Sequence, residues 1–309
     1  MNRVDCDFCG NNDVTLVHVL QDVRLHQPGQ YDLVRCNQCG LFYINPQPNW
    51  EELKPHYPED YHCFTVAIDD HPSAFERWAQ RYGVRRRCQL IARRKSSGHL
   101  LDVGCSTGIF LNEMRRLGNW DVSGVEPVHS AADFVRKRYG IQVYIGFLID
   151  THLPDALFDV VTLWDVLEHT PNPSATLREI YRILKPGGLV VLKSPDPSSW
   201  EARVFGSSWV GFEAPQHLFG FPSGTLVKRL YELGFTKCER TTLGSDYATF
   251  ISSLSLWLEA RGRSTLSKFF RGLSRSVITR VLFAPLFRIL RMLGFRSSCI
   301  YYAYKPEPI

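Results

Sequence analysis

The sequence lacks the features that define several common classes of protein. No apolar stretch follows a basic start at the N-terminus, so we expect no secretory signal. The glycine-rich turn at Gly104–Gly108 is not followed by Gly-Lys-Ser/Thr, which excludes the loop that cradles nucleotide phosphates. The nine cysteines are an odd number and include two Cys-x-x-Cys pairs, which favours metal ligands and reduced thiols over a disulfide framework. We therefore expect a cytoplasmic protein.

The composition is that of a globular chain. Of its 309 residues, 44% are hydrophobic and 22% are charged. A chain of this length is large enough to bury one full α/β core and to carry an accessory module.

A strand, a tight turn and a helix follow one another at residues 100–114. The apolar run Leu100–Val103 includes Asp102, and Phe110, Leu111 and Met114 recur at helical spacing after the turn. Glycines in such a turn let the backbone approach a ligand closely or adopt a positive φ. This geometry is typical of sites that bind a nucleotide-like cofactor at a helix N-terminus.

Strands and helices alternate over the next 90 residues. The pattern predicts a strand ending at Glu126, a helix over Ser130–Tyr139, and strands over Ile141–Tyr144 and Leu157–Trp164. A helix begins at Pro173 and is expected to stop at Lys185-Pro186-Gly187-Gly188, before a buried strand over Leu189–Lys193. The alternation predicts an α/β fold with a mostly parallel, doubly wound sheet.

Five motifs in register resemble those of the class I S-adenosylmethionine-dependent methyltransferases. They are Leu-Asp-Val-Gly-Cys-x-Thr-Gly, Gly-Val-Glu-Pro, Phe-Asp-Val-Val, Asp-Val-Leu-Glu-His and Leu-Lys-Pro-Gly-Gly. The chain is most similar to the branch with the ubiquinone-biosynthesis O-methyltransferases and bacterial sugar and small-molecule methyltransferases. The resemblance covers roughly Gly98 to Phe235 and implies a Rossmann-like sheet of seven strands. Cys299–Tyr304 would be its last, antiparallel strand.

The resemblance also implies a cofactor site for S-adenosylmethionine. Asp102, Gly104 and Gly108 would line its methionine and ribose end, Glu126 would hold the ribose hydroxyls, and Asp150 is the nearest acid for the adenine. The other residues expected at the cofactor are Cys105, Pro127, Trp164 and Asp165. The alternative for Asp102 and Glu126 is ordinary capping of strand ends. Ser106 stands where the family has glycine, so we expect a weaker cofactor fit rather than lost binding.

Two Cys-x-x-Cys-Gly segments near the N-terminus predict a structural metal site. Their cysteines are Cys6, Cys9, Cys36 and Cys39. Four thiolates close a tetrahedral zinc site and leave no open position for catalysis. Residues 1–65 are therefore expected to form a zinc-ribbon module ahead of a methyltransferase domain at 66–309. His56, His62 and Cys63 lack ligand spacing, and we expect them in the core or on the surface.

Two histidines are candidates for the base that a methyl transfer to a hydroxyl requires. His169 follows the fourth strand with Asp165 and Glu168, and relatives with this spacing are associated with a divalent cation, so magnesium is allowed here. Glu168 and His169 could equally brace the turn. His217 lies in an aromatic loop, Trp209–Leu218, that resembles the family's cover of the acceptor pocket; its alternative is a buried histidine bonded to a backbone carbonyl. The predicted catalytic residues are His217, His169 and Glu168.

A basic insert at 244–297 precedes the last strand. Ten Lys and Arg and no acid lie between Ala260 and Pro306, so the rest of the chain has 26 basic against 31 acidic residues. Apolar residues recur there at helical spacing up to Pro285, which is expected to end one helix before a second one begins. Such a basic helix pair over 264–295 could lie on an anionic membrane surface. We favour the alternative, a lid or a dimer contact packed on the enzyme, because inserts of this kind are common in this branch.

These patterns predict methyl transfer to a small-molecule acceptor, a hydroxyl of a sugar, glycolipid or isoprenoid-type ring. The rival hypothesis is an RNA-directed methyltransferase or a nucleic-acid-binding protein that uses the zinc ribbon and the basic helices. Nucleic acid is disfavoured, because the basic residues alternate with a broad apolar face rather than with stacking aromatics. The DNA aminomethylases carry Asn/Asp-Pro-Pro-aromatic after the fourth strand, where this chain has Asp165-Val166-Leu167-Glu168. Methylation of the amino group of a base is therefore disfavoured.

Overall fold

The computed structural model describes residues 1–56, 73–242 and 247–308. The strands are β1 Val14–Leu20, β2 Tyr31–Cys36, β3 Phe42–Ile44, β4 Gly98–Val103, β5 Trp120–Glu126, β6 Gln142–Ile145, β7 Phe158–Trp164, β8 Leu184–Pro195, β9 Phe219–Gly220, β10 Thr236–Thr241 and β11 Ser298–Tyr304. The helices are α1 Trp50–Leu53, α2 Ala74–Ala92, α3 Ile109–Arg115, α4 His129–Tyr139, α5 Pro173–Ile183, α6 Trp200–Phe205, α7 Ser223–Glu232, α8 Tyr247–Glu259, α9 Ser264–Arg275 and α10 Val277–Met292.

The chain divides into two compact units. The first comprises residues 1–57, 194–226 and 242–299, and the second comprises 58–193, 227–241 and 300–309. The first unit thus draws on three separate stretches of sequence. The predicted boundary between residues 65 and 66 lies outside the described residues, as do His62, Cys63 and residue 244, where the insert was predicted to begin.

The first unit contains a four-stranded antiparallel sheet in the order β1-β2-β3-β9. Its register pairs Leu33 with Ile44 and Tyr43 with Phe219. Inward side chains of these strands pack on the aromatic loop of the same unit, so Leu33 and Ile44 share one buried cluster with Trp209 and Phe212. Burial of each large apolar or aromatic side chain in this cluster stabilises the folded unit by about 1.5–3 kcal/mol.

The second unit contains most of a seven-stranded sheet in the order β10-β11-β8-β7-β4-β5-β6. β4, β5, β6, β7 and β8 pair in parallel, and β11 runs antiparallel to β10. The central strands are mostly buried, and Leu100, Val160 and Val190 have no exposed surface. Near-continuous apolar runs of this kind are what a sheet covered on both faces requires. The predicted Rossmann-like α/β fold is confirmed.

Two boundaries differ from the sequence-based expectation. β8 begins at Leu184, so the Lys-Pro-Gly-Gly segment that was expected as a helix stop is part of the strand. Gly187 N–H donates to Lys305 O at 2.9 Å, and Lys305 N–H donates to Gly188 O at 2.9 Å. These bonds to the chain beyond β11 extend the segment, and periodicity along one strand gives no sign of them.

The predicted helix break at Pro285 is wrong. The break falls at Ser276, which has extended backbone, and Pro285 lies inside α10. The Ser276 hydroxyl accepts a hydrogen bond from Thr279 N–H at 3.4 Å, which satisfies one of the donors at the start of α10. Tertiary packing of α10 through Phe287 then retains the helix across the proline.

Candidate functional site

Asp102 is a buried acid near the C-terminal end of β4. Its Oδ1 accepts a hydrogen bond from the Thr162 hydroxyl on β7 at 2.5 Å. Burial raises the pKa of Asp102 to about 8, and the bond from Thr162 and the charge of Arg87 oppose that shift without cancelling it. A carboxyl with its pKa in this range changes charge near neutral pH, so a bound cation would draw it into the ionised form.

Glu126 is the last residue of β5, and its carboxylate accepts hydrogen bonds from two different loops. Its Oε2 accepts a hydrogen bond from Ser106 N–H at 2.9 Å, and its Oε1 accepts one from Val128 N–H at 3.0 Å. Burial raises the pKa of Glu126, whereas both backbone bonds lower it. The capping contact named as the alternative is therefore present. Each carboxylate oxygen retains a second lone pair that can accept a ribose hydroxyl.

The turn after β4 has positive φ at Gly104, Ser106 and Gly108, and its two glycines have no room for a Cβ. A Cβ on Gly104 would lie 2.6 Å from Val166 Cγ2, and one on Gly108 would lie 2.7 Å from Val135 Cγ1. Ser106 has a φ of +49°, a conformation that costs an L-residue roughly 1–2 kcal/mol. The serine thus occupies a backbone geometry suited to the family's glycine.

Trp164 stands at the end of β7 beside an arginine that the sequence motifs did not indicate. The Arg87 guanidinium, on α2, lies 5.0 Å from the centre of the Trp164 ring. Phe110 packs edge-on against the same ring at 5.6 Å. The buried Trp164 indole N–H has no hydrogen-bond partner among the residues that the structure describes. Arg87 precedes all five sequence motifs in the chain, so none of them could indicate it.

Asp165 is held by a lysine. Both of its carboxylate oxygens accept a hydrogen bond from Lys193 Nζ at 2.6 Å, and its own φ is +58°. Among the described residues, Asp165 does not join Glu168 and His169 in a group whose ligand atoms lie close enough for one metal ion. An ammonium group already compensates the Asp165 charge, so the magnesium ion that this spacing made possible has no support.

The remaining predicted residues of this unit lie in the turns that follow the strands. Glu168 is buried and His169 is half-buried in a 3-10 helix, Leu167–His169. Cys105 is buried, and burial raises its thiol pKa well above the usual value, so the thiol is neutral. Pro127 is half-buried, and Asp150 is exposed at the end of a 3-10 helix, Leu148–Asp150.

His217, in the first unit, lies in an aromatic cavity. Its Nδ1 lies 2.9 Å from Gly211 O, and its Nε2 lies 3.7 Å from Glu213 Oε2. A carbonyl oxygen can only accept, so Nδ1 carries a proton, and in the neutral imidazole the lone pair is on Nε2. The cavity has room for about one water molecule, at about 10 Å³, and is lined by Leu33, Pro195, Pro197, Trp209, Gly211, Phe212, His217, Phe219 and Gly220.

The four N-terminal cysteines come together as predicted. Their Sγ atoms all lie within 4.8 Å of one another, with Cys6 3.4 Å from Cys39 and Cys9 3.5 Å from Cys36. These separations are too long for a disulfide bond. They approach the spacing of about 3.8 Å that a tetrahedron with Zn–S bonds of about 2.3 Å requires.

The two cysteine loops have the same backbone hydrogen bonds. Gly10 N–H donates to Cys6 O at 2.7 Å, and Gly40 N–H donates to Cys36 O at 3.0 Å. Both glycines have a positive φ, +70° and +80°, which closes each turn around its cysteines. The donor set and its geometry fit a tetrathiolate zinc ion.

His56 has a structural role that its spacing alone did not reveal. It is buried, its Nδ1 lies 2.7 Å from Asp22 Oδ2, and its Nε2 lies 3.3 Å from the Tyr31 hydroxyl. Gln216 donates to His56 O at 3.1 Å. His56 was expected in the core or on the surface, and the structure buries it. These partners come from distant stretches of sequence, so no local pattern could indicate them.

Comparison with known proteins identifies a family that covers most of the seven-stranded sheet. The methyltransferase domain family matches residues 75–239. A ubiquinone biosynthesis O-methyltransferase of Pseudomonas putida is 33% identical over 119 residues, which are 36% of this chain and 51% of that protein. The corresponding protein of Serratia proteamaculans is 28% identical over 155 residues, 44% of this chain and 64% of that protein.

These curated relatives are matched over about half to somewhat under two thirds of their own length. Among solved structures, a SAM-dependent methyltransferase of Thermotoga maritima superposes with a TM-score of 0.50 at 18% identity. That likeness covers 75% of this chain and 94% of the other, and it concerns the fold alone.

Proposed function

The chain belongs to the methyltransferase domain family, and we propose that it transfers a methyl group from S-adenosylmethionine to a small-molecule hydroxyl. The observation that carries this proposal is the loop after β4. Two glycines at positive φ have no room for a Cβ, so they let the turn pack closely at the ends of adjacent strands, where the two buried acids Asp102 and Glu126 stand. A cofactor with hydroxyls and a cationic group suits such a cradle.

Two further residues support a cofactor in this unit. The Trp164 indole N–H is a buried donor without a partner among the described residues, and such donors are costly unless a ligand or water accepts from them. The Arg87 guanidinium covers the Trp164 ring and fixes its orientation. In this proposal Glu126 holds the ribose hydroxyls while it continues to cap the loop at Ser106 N–H.

We further propose that the acceptor is a sugar, a glycolipid or an isoprenoid-type ring, with His217 as the base. The cavity beside His217 has room for a hydroxyl or one water molecule against aromatic walls. Trp209 lines the same cavity, and its buried indole N–H has no hydrogen-bond partner among the described residues. Nδ1–H donates to Gly211 O, so in the neutral imidazole Nε2 is the atom that would take the acceptor proton. The named activity of the curated relatives is also an O-methylation.

Cys6, Cys9, Cys36 and Cys39 would hold a structural zinc ion in this proposal. The ion would link two loops that are 26 residues apart in sequence and would leave no position for a substrate. The zinc would therefore stabilise the four-stranded sheet of the first unit and take no part in methyl transfer.

Untargeted mass spectrometry of cells with and without the protein tests the acceptor class. The proposal would be supported by a metabolite with a sugar or isoprenoid ring whose mass is lower by one CH₂ group in cells that lack the protein. If the unmethylated species is an RNA nucleoside instead, the acceptor is a nucleic acid and the small-molecule proposal is wrong.

A further inference from the structure

Helix α10 carries a large apolar stripe that faces solvent. Ile278 is 72% exposed, Leu282 is 70% exposed and Met292 is 78% exposed. Val281, Leu286, Ile289 and Leu293 are exposed as well. At 100° per residue these seven positions fall on one side of a helix, and all but Leu293 lie in α10, which is about 24 Å long.

Helix α10 packs on the rest of the first unit through its opposite face. Phe287 is buried against Tyr247 and Ile251 of α8, and Leu290 packs on the same cluster. Tyr247 stacks on Phe283 at 5.7 Å. The helix is therefore already anchored through one apolar face, and among the described residues nothing covers the other. A lid packed on the same chain, one of the two contacts that the sequence favoured, does not account for this second face.

The surroundings of the stripe are strongly basic. Between Ala260 and Pro306 the chain has ten Lys and Arg and no acid. Arg271 forms an ion pair with Glu259. Lys268, Arg280 and Arg288 are exposed and have no ion-pair partner within the described ranges. An exposed apolar stripe on a helix of a strongly basic segment is the pattern of a helix that lies in a membrane interface.

We propose that α10, together with the basic residues of α9, docks this chain on an anionic lipid surface. The stripe would enter the boundary between headgroups and acyl chains, and Lys268, Arg280 and Arg288 would contact lipid phosphates. No helix among the described residues is long and apolar enough to cross a membrane, so the contact is with one surface. This inference rests on exposure and charge and does not depend on the proposed acceptor.

Two other occupants fit the surface less well. A second copy in a twofold dimer would bring the same cationic patch against itself, which like-charge repulsion opposes. RNA would meet an aliphatic stripe of Ile, Val, Leu and Met, although nucleic-acid surfaces use aromatic side chains to stack on bases. An anionic bilayer satisfies both the charge and the aliphatic face.

Flotation of the full chain with vesicles tests the proposal. Vesicles of phosphatidylcholine alone are compared with vesicles that also contain phosphatidylglycerol, at low and at high salt. We expect binding to the anionic vesicles that weakens as salt is raised. Leu282→Ser/Ile289→Ser should reduce the partition coefficient at least tenfold. Leu117→Ser/Val204→Ser, which removes two apolar side chains exposed elsewhere, should leave it unchanged.

Charge substitutions give a second readout. Arg280→Gln/Arg288→Gln should reduce partitioning at low salt by about fivefold per residue. Lys137→Gln/Lys228→Gln, exposed lysines outside the insert, should change it little. The proposal is overturned if wild-type chain fails to float with anionic vesicles, or if the stripe variant and its control lose binding equally. It is also overturned if light scattering shows a dimer that Leu282→Ser/Ile289→Ser dissociates while vesicle binding persists.

Discussion

Glu126 accepts a hydrogen bond from the backbone N–H of Ser106, 2.9 Å away, and Ser106 holds a φ of +49°. The bond joins the end of β5 to the turn after β4. It also supports a serine in a conformation that glycine adopts without strain. The same carboxylate that is proposed to bind ribose therefore shapes the loop that receives the cofactor.

Replacing Ser106 with glycine should relieve this strain. The left-handed backbone costs an L-residue roughly 1–2 kcal/mol, and the extra chain entropy of an unfolded glycine offsets part of that gain. We expect Ser106→Gly to leave the free energy of unfolding unchanged or to raise it by up to about 1 kcal/mol, measured by urea denaturation. Ser198→Gly, a serine at negative φ, is the control and should not stabilise. A loss of more than about 1 kcal/mol in Ser106→Gly would mean that the serine side chain contributes a contact.

Asp102 should make stability depend on pH. Its folded pKa of about 8 is above the unfolded value, so the folded chain binds more protons between pH 4 and pH 8. Stability should therefore fall as the pH rises through this window, with a slope of up to about 1.4 kcal/mol per pH unit from this residue. Asp102→Asn should remove that slope in denaturation curves measured at several pH values. Identical pH profiles for the two proteins would contradict the raised pKa.

The strands and the residues at their ends could be predicted from the sequence because both depend on local order. Asp102, Gly104 and Glu126 stand where a parallel strand meets a turn, and periodicity locates such points. Arg87 and the bond between His56 and Asp22 could not be predicted, because their partners come from distant segments. Pro285 was assigned to a helix break because its residue type disfavours a helix, whereas the packing of Phe287 retains it.

Removing one of the four clustered thiols should release the metal. We expect wild-type protein purified without chelator to contain one zinc ion per chain by elemental analysis, and Cys6→Ser to contain much less. Cys6→Ser should also lower the melting temperature, because the zinc links two loops of the first sheet. Cys238→Ser, on β10 and outside the cluster, should retain the metal. Wild-type protein without stoichiometric zinc would contradict the assignment.

His217 should matter for turnover rather than for folding. His217→Asn preserves a donor that can reach Gly211 O and removes the Nε2 lone pair. If His217 is the base, turnover on the identified acceptor should fall by roughly 10²–10⁴-fold while affinity for the cofactor stays the same. His129→Asn, an exposed histidine at the start of α4, is the control. Near-wild-type turnover in His217→Asn would remove His217 from the chemistry, and His169→Ala would then be tested in the same assay.

Calorimetric titration with S-adenosylhomocysteine tests the central claim most directly, because it needs no knowledge of the acceptor. We expect one site per chain, and we expect Glu126→Ala to weaken binding by on the order of 1.5–3 kcal/mol, the value of hydrogen bonds to a charged group. Glu126→Gln, which keeps one acceptor oxygen for the loop, separates ribose binding from loop capping, and Glu232→Gln is the surface control. Absence of binding to the wild-type chain, or equal affinity of wild type and Glu126→Ala, would contradict the account.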